Sequence, residues 1–229
     1  EHFITPQEIN VKRKNDLMIL LNRQKPNGSG FDCIVASSGG KDSTAQALDL
    51  ISLGARPLLV TATTCMLTDI GHKNIQNLAR YASTMEITPN QDVRARLNYL
   101  GLTLVGDISW PEHVAIFTTP MQIATALGIP LVFYGENPQA AYGGPVGADE
   151  ARIMTRRWVS EFGGFLGLRP TDMIGLQGIT KQDMQDYMPP SDDAVRKVGV
   201  EMHFLGQYLG PWDSRRNARI AVDAGMIAR

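Results

Sequence analysis

Cysteine is almost missing from this chain, and its scarcity excludes a disulfide framework: Cys33 and Cys65 are the only two in 229 residues. Both fall in or beside apolar, strand-like runs, so buried thiols in a reducing, cytoplasmic setting are expected. No stretch of about 18 apolar residues occurs, and no charged-then-apolar leader, which leaves neither a membrane-spanning helix nor an export signal to read. Charge of one sign is not in excess either. Lys and Arg number 22 against 23 Asp and Glu, giving a net charge of −1 and a pI near 6.5. That balance argues against a strongly basic nucleic-acid surface, and neither nucleic acid nor membrane is expected as a partner. Glu150, Arg152, Arg156 and Arg157 read as a solvated helical face or a contact for an anionic substrate or partner. His72, His113 and His203 lack zinc-ligand spacing, the methionines are scattered as core filler, and no repeat or low-complexity tract occurs.

What is present suffices for one sizeable core, with 43% of residues hydrophobic and 20% charged. The most informative run is Ser38-Gly39-Gly40-Lys41-Asp42-Ser43, between the apolar residues 31–36 and a helix-like stretch at 44–53. Two adjacent glycines let backbone N–H groups converge on an anion with no Cβ in the way. Ser38 and Ser43 add hydroxyls, Lys41 adds a mobile charge, and the helix that begins here points its positive end at the same place. Asp42 is the odd member: a carboxylate beside a phosphate is repelled unless it holds a helix start or a Mg²⁺ that itself grips phosphate. The spacing differs from a Walker A loop.

Along the chain, helical spacing runs through 5–21, with Pro6 suited to a first turn, and residues 25–30 break it. Strand-like runs follow at 32–36, 57–61 and 130–134, with a weaker one at 85–88. Helical stretches at 44–53, 71–83, 92–100 and 112–127 alternate with them. Such alternation predicts an α/β fold whose mainly parallel sheet has helices on both faces. The organisation expected is an N-terminal helix and linker at 1–30, a core at 31–145 and a smaller helical extension at 146–229. Within the last part, a helix at 215–224 is expected to be capped by Asp213 or Ser214. Ligands in parallel sheets sit at the carboxyl ends of strands. That end receives residues 37–43, 61–69 and 134–145, so one composite site is expected there. Its third segment carries Glu136, fit to order Mg²⁺ or a polar substrate, and Asn137, which can both donate and accept.

The S-G-G-K-D-S run is similar to the pyrophosphate loop of the N-type ATP pyrophosphatases, whose fold is of the adenine nucleotide alpha hydrolase-like kind and which split ATP between its α and β phosphates. Taken with Tyr134-Gly135-Glu136-Asn137, Tyr142-Gly143-Gly144, Asp69-Ile70-Gly71 with Lys73-Asn74, Phe204-Leu205-Gly206 and Trp212-Asp213, the chain resembles the N-acetyl sugar amidotransferases of bacterial surface-polysaccharide biosynthesis. The resemblance spans about residues 28–225. It implies an ATP-dependent, AMP- and pyrophosphate-forming ligase that adenylates a nucleotide- or lipid-linked N-acetyl sugar and uses ammonia to form an amidino group. ATP would engage Ser38, Gly39, Gly40, Lys41, Asp42, Ser43, Thr61, Thr63 and Gly135, with Lys41 and Asp42 catalytic. Mg²⁺ would lie on Asp42 and Glu136, and the sugar against Asp69, Lys73, Asn74, Glu136, Asn137, Tyr142 and Trp212.

The chain has no catalytic-cysteine context for hydrolysing glutamine, so a separate glutaminase is implied, and the resemblance implies a barrel-shaped ammonia-channelling subunit as a further partner; a homo-oligomer stays open. Family members begin with paired cysteines of zinc-site type, and nothing before Cys33 supplies them. The chain starts at Glu1 rather than Met, so a preceding segment is expected to carry any such zinc site. Two alternatives stay open: a tRNA-modifying or sulfur-transferring pyrophosphate-loop enzyme, which would need reactive cysteines, and a non-catalytic adenine-nucleotide-sensing module.

Overall fold

Short apolar runs buried on both sides belong in the middle of a parallel sheet, and three here do so: β1 (Cys33–Ala36), β2 (Pro57–Ala62) and β4 (Leu131–Tyr134). β3 (Ser83–Ile87), with exposed residues in its pattern, takes one edge, and β5 (Glu201–Phe204) the other. The computed structural model describes residues 6–23, 30–64, 66–135, 137, 152–210 and 212–228. Among them the five strands form one sheet, all parallel, in the order β3-β2-β1-β4-β5. Ile34 of β1 pairs with Leu58 on one side and Val132 on the other. The chain thus winds outward from β1 in one direction and then restarts at β4 in the other. The carboxyl end of the β1/β4 junction is the topological switch point, where the connections diverge and leave a crevice.

Helices cover both faces, as the sequence pattern predicts. On one face Ile34, Leu58, Val60 and Val132 pack with α4 (Gln91–Val105) and α5 (Trp110–Leu127) through Val93, Leu97, Trp110, Val114 and Met121. Met173, Ile179, Met184 and Tyr187 close the same core. On the other face Cys33, Val35, Leu59, Leu131 and Phe133 meet α1 (Pro6–Arg23), α2 (Lys41–Ser52) and Leu78 of α3 (Asp69–Leu78). The buried stripe of α1 is Leu17, Leu20 and Leu21, whereas Ile9, Val11 and Ile19 are exposed. Sequence spacing overestimated how much of this helix docks. Cys33 is fully buried, and desolvation, with Asp32 nearby, pushes its thiol well above the ordinary range, which makes it inert. Cys65 lies outside the described residues. No helix among them is long and apolar enough to cross a membrane.

After β4 come α6 (Arg156–Phe162), a series of short 3₁₀ turns, α7 (Asp192–Val198), β5, α8 (Gly206–Leu209) and α9 (Ser214–Asp223). This part was expected to be helical, and β5 is the departure. Its four residues carry Glu201 and His203, polar types that hide a strand. The buried His203 ring is satisfied by the Tyr208 hydroxyl at 2.8 Å and Glu201 at 3.2 Å, while Met202 and Phe204 enter the α4/α5 core. Asp213 caps α9 as expected, accepting from the N–H groups of Arg215 and Arg216 at 2.9 and 3.0 Å. Those bonds hold its carboxyl below the usual range.

α9 lies along α2, where the Arg216 guanidinium forks onto Asp49 at 3.0 and 2.6 Å. Half of the Arg216 side chain remains in water, so the pair is a modest clasp. A double-mutant cycle with Arg216→Ala and Asp49→Ala is expected to give a coupling of about 0.5–1 kcal/mol in urea unfolding. A coupling of zero would mean that α9 docks through its apolar contacts alone.

Candidate functional site

β1 delivers the chain directly to the glycine loop. Gly39 has φ of 73°, and a Cβ built on it would stand 2.7 Å from Ile75 Cγ1 and 3.0 Å from the Ile75 nitrogen. The loop therefore lies flat on α3, a contact that a side chain at this position would prevent. Its internal hydrogen bonds are long: Ser38 N–H to Ser43 Oγ at 3.3 Å, Gly40 N–H to Ser38 Oγ at 3.4 Å and Gly39 N–H to Ser37 Oγ at 3.5 Å. Bonds of that length are weak, so these donors are cheaply surrendered to an incoming anion. α2 begins at Lys41 with no side chain capping it, leaving its first-turn N–H groups and positive dipole end directed at the loop.

Beside the loop is a cleft of about 320 Å³. One flank is polar, formed by Ser37, Ser38, Gly40, Asp42 and Ser43, and the other is largely apolar, formed by Ala36, Val60, Ala62, Ile116, Pro120 and Tyr134. Thr64 and Gln46 complete it. Gly135 is a close approach: a Cβ there would be 2.6 Å from Gln46 Nε2, so a side chain at this position would require the Gln46 amide to move. The expected Thr61 and Thr63 are not in the lining. Strand alternation places Val60 and Ala62 toward the cleft and turns Thr61 the other way. The Thr63 hydroxyl is engaged by Thr88 at 3.1 Å, and its carbonyl accepts from buried Arg94 at 2.8 Å.

Lys41 and Asp42 sit at the mouth. Lys41 Nζ donates to Asp42 Oδ2 at 2.5 Å and lies 5.0 Å from the centre of the Trp212 ring. The other Asp42 oxygen accepts from Asn217 Nδ2 at 3.0 Å, a bond made by a side chain on α9 that is itself buried. A smaller hollow of about 100 Å³ adjoins across Gln46, with Trp212, Gly206 and Asn217 among its walls. The structure thus gathers Ser38, Gly40, Lys41, Asp42, Ser43, Gly135 and Trp212 around one locus, with Gly39 seating the loop.

The other expected residues are placed differently. Asp69 and Lys73 are exposed on α3. Asn74 is committed elsewhere, because its amide accepts from the N–H of Ile227 at 2.8 Å and donates to the Ile227 carbonyl at 3.1 Å. A side chain with both ends held by backbone is a clasp for the C-terminal segment and has little left for a substrate. Asn137 is buried just past β4, and Glu136 and Tyr142 lie outside the described residues. Asn217, Gln46, Ile116 and Pro120 went unforeseen. Gln46 was reachable, since it stands one helical turn after Asp42, and Pro120 is a visible anomaly in a helical pattern. Nothing local marks Asn217.

Among the described residues no three of His, Cys, Asp and Glu cluster as metal ligands. His113 is held by Asp107 at 2.9 Å, away from any such group. Mg²⁺ commonly takes one or two carboxylates and draws its remaining ligands from phosphate and water. Asp42, beside a phosphate-type loop, fits an ion that arrives with its ligand.

A doubly wound parallel sheet with an uncapped helix start at its switch point, opening on a half-apolar cleft, defines an α/β protein. Among solved structures the chain is similar to NMN synthetase from Francisella tularensis, at 15% identity over 97% of this chain and 93% of that one, with a TM-score of 0.43. At that distance no residue role is carried over. No protein-family model matches the chain, and no curated protein matches it.

Proposed function

We propose that the protein binds MgATP in the cleft and cleaves it between the α and β phosphates to adenylate an acceptor. The observation that carries this reading is the uncapped start of α2, beside loop donors held only by bonds of 3.3–3.5 Å, at the edge of an apolar cleft. The terminal phosphates lie in the loop and the base against Val60, Ala62, Ile116 and Pro120. Lys41 leaves Asp42 to meet the phosphates, and Asp42, kept in orientation by Asn217, offers its freed oxygen to Mg²⁺. The ion supplies charge neutralisation on the phosphate oxygens.

The sequence resemblance supports the finer reading of an amidotransferase acting on an N-acetyl sugar. The acetamido oxygen bonds to the α phosphorus as the bond to the bridging oxygen breaks, and pyrophosphate departs carrying the negative charge that Lys41 and the loop N–H groups stabilise. Ammonia then adds at the imidate carbon, AMP leaves, and an amidino group remains after loss of a proton. The sugar faces the smaller hollow, with Trp212 as its aromatic platform. Ammonia comes from a glutaminase through a barrel-shaped partner.

The test is pyrophosphate release from MgATP with ammonium and a panel of nucleotide-linked N-acetyl sugars. Pyrophosphate and AMP in equal amounts, stimulated by one sugar class, are expected. Orthophosphate as the product, or tight ATP binding with no product in any condition, would end the ligase reading.

A further inference from the structure

α5 is broken chemically at the cleft wall. Pro120 stands in its interior. Proline carries no backbone N–H, so the carbonyl of Ile116, four residues earlier, loses the donor that an α-helix provides. Ile116 and Pro120 both line the cleft, which puts that carbonyl in the wall between them. Nearby side-chain donors are spent elsewhere. The Tyr134 hydroxyl donates to the next carbonyl along, that of Phe117, at 3.0 Å, and the Thr118 hydroxyl to Val114 at 2.9 Å. Helix-interior proline is costly, and here the cost leaves a hydrogen-bond acceptor on a flank whose other members, among them Ala36, Val60, Ala62 and the proline ring, are apolar.

An apolar flank that carries a backbone acceptor between Ile116 and Pro120 fits a flat aromatic ring with a donor on its edge. Adenine offers a 6-amino group; guanine and hypoxanthine present a carbonyl oxygen at the same position, which a second carbonyl repels. We propose that the Ile116 carbonyl, freed by Pro120, reads the base by accepting from the 6-amino group, and so selects ATP over GTP and ITP. This rests on the nucleotide reading of the cleft and adds base specificity to it.

The proposal is tested by calorimetric binding of ATP, ITP and purine riboside triphosphate, which lacks the 6-amino group, to the wild-type protein and to Pro120→Ala. Alanine restores an N–H that reaches back to Ile116 and occupies its carbonyl, and it favours the helix, so lost affinity could not be ascribed to misfolding. Wild type is expected to prefer ATP over purine riboside triphosphate by about 10-fold, and over ITP by more. In Pro120→Ala the first ratio is expected to shrink to within about 2-fold with the melting temperature unchanged or raised. Pro120→Ser, which also restores the N–H, is expected to behave in the same way. A variant that keeps the wild-type ratio, or a wild type that binds all three alike, overturns base reading by Ile116 and leaves the nucleotide site standing. Failure of every triphosphate to bind overturns both.

Discussion

Gly39→Ala is expected to lower ATP affinity by about 100-fold or more and to destabilise the fold by about 2–4 kcal/mol, the range of a strained backbone combined with a forced contact. The residue has φ of 73°, a conformation that costs an L-residue roughly 1–2 kcal/mol. The added methyl would also stand 2.7 Å from Ile75 Cγ1 and 3.0 Å from the Ile75 nitrogen. A side chain can turn aside, but the nitrogen belongs to the middle of α3 and cannot. The loop must lift from the helix, and its N–H groups then no longer converge. Calorimetric titration with ATP, alongside thermal melting, checks both halves. Trimming the neighbour with Ile75→Ala should recover only part of the loss, because the backbone contact remains. Wild-type affinity in Gly39→Ala would mean that the loop does not hold the phosphates.

Lys41→Ala is expected to reduce pyrophosphate release by about 10²–10³-fold, the scale seen when one preorganised donor to developing charge is removed. ATP affinity should fall much less, since loop N–H groups and the helix start remain. A loss confined to KM would show instead that Lys41 only binds substrate. Its resting position gives a second readout. Lys41 lies 5.0 Å from the ring of Trp212, which is 51% exposed, whereas Trp110 and Trp158 are buried. Fluorescence quenched by acrylamide therefore reports on Trp212. Nucleotide should change that quenching in wild type and leave it unaltered in Lys41→Ala.

The sheet and its crevice were legible because parallel strands buried on both faces must be apolar runs, and because Gly39, Gly40 and Lys41 sit where one such run meets a helix. The Pro57 and Leu131 strands declared themselves in the same way. β5 did not, because Glu201 and His203 interrupt its apolar pattern, and His203 is tolerated only through Tyr208, a partner that appears once the chain has folded. Thr61 and Thr63 were expected to engage ATP because the family resemblance puts the nucleotide at the end of β2. The pleat decides otherwise by giving Val60 and Ala62 the inward side. Asn74 and Asn217 make the complementary point. Both are asparagines on helices, one clasping backbone and the other holding Asp42, and no property of the local sequence tells them apart.

The bond from Asn217 to Asp42 spans 175 positions of chain. At synthesis rates of about 5–20 residues per second, roughly 10 to 35 s pass between the making of the loop and the making of the residue that orients its carboxylate. Within that interval, from the making of Leu131–Tyr134 to the making of Glu201–Phe204, β4 also waits as an open sheet edge, since β5 has not yet been translated. The nascent chain therefore carries a recognisable phosphate loop that is not yet equipped, together with an adhesive border of unpaired backbone. Competence arrives only when α9 folds back on α2, which ties the birth of the site to the synthesis of Asn217 and makes the β4 edge the region most in need of a chaperone beforehand.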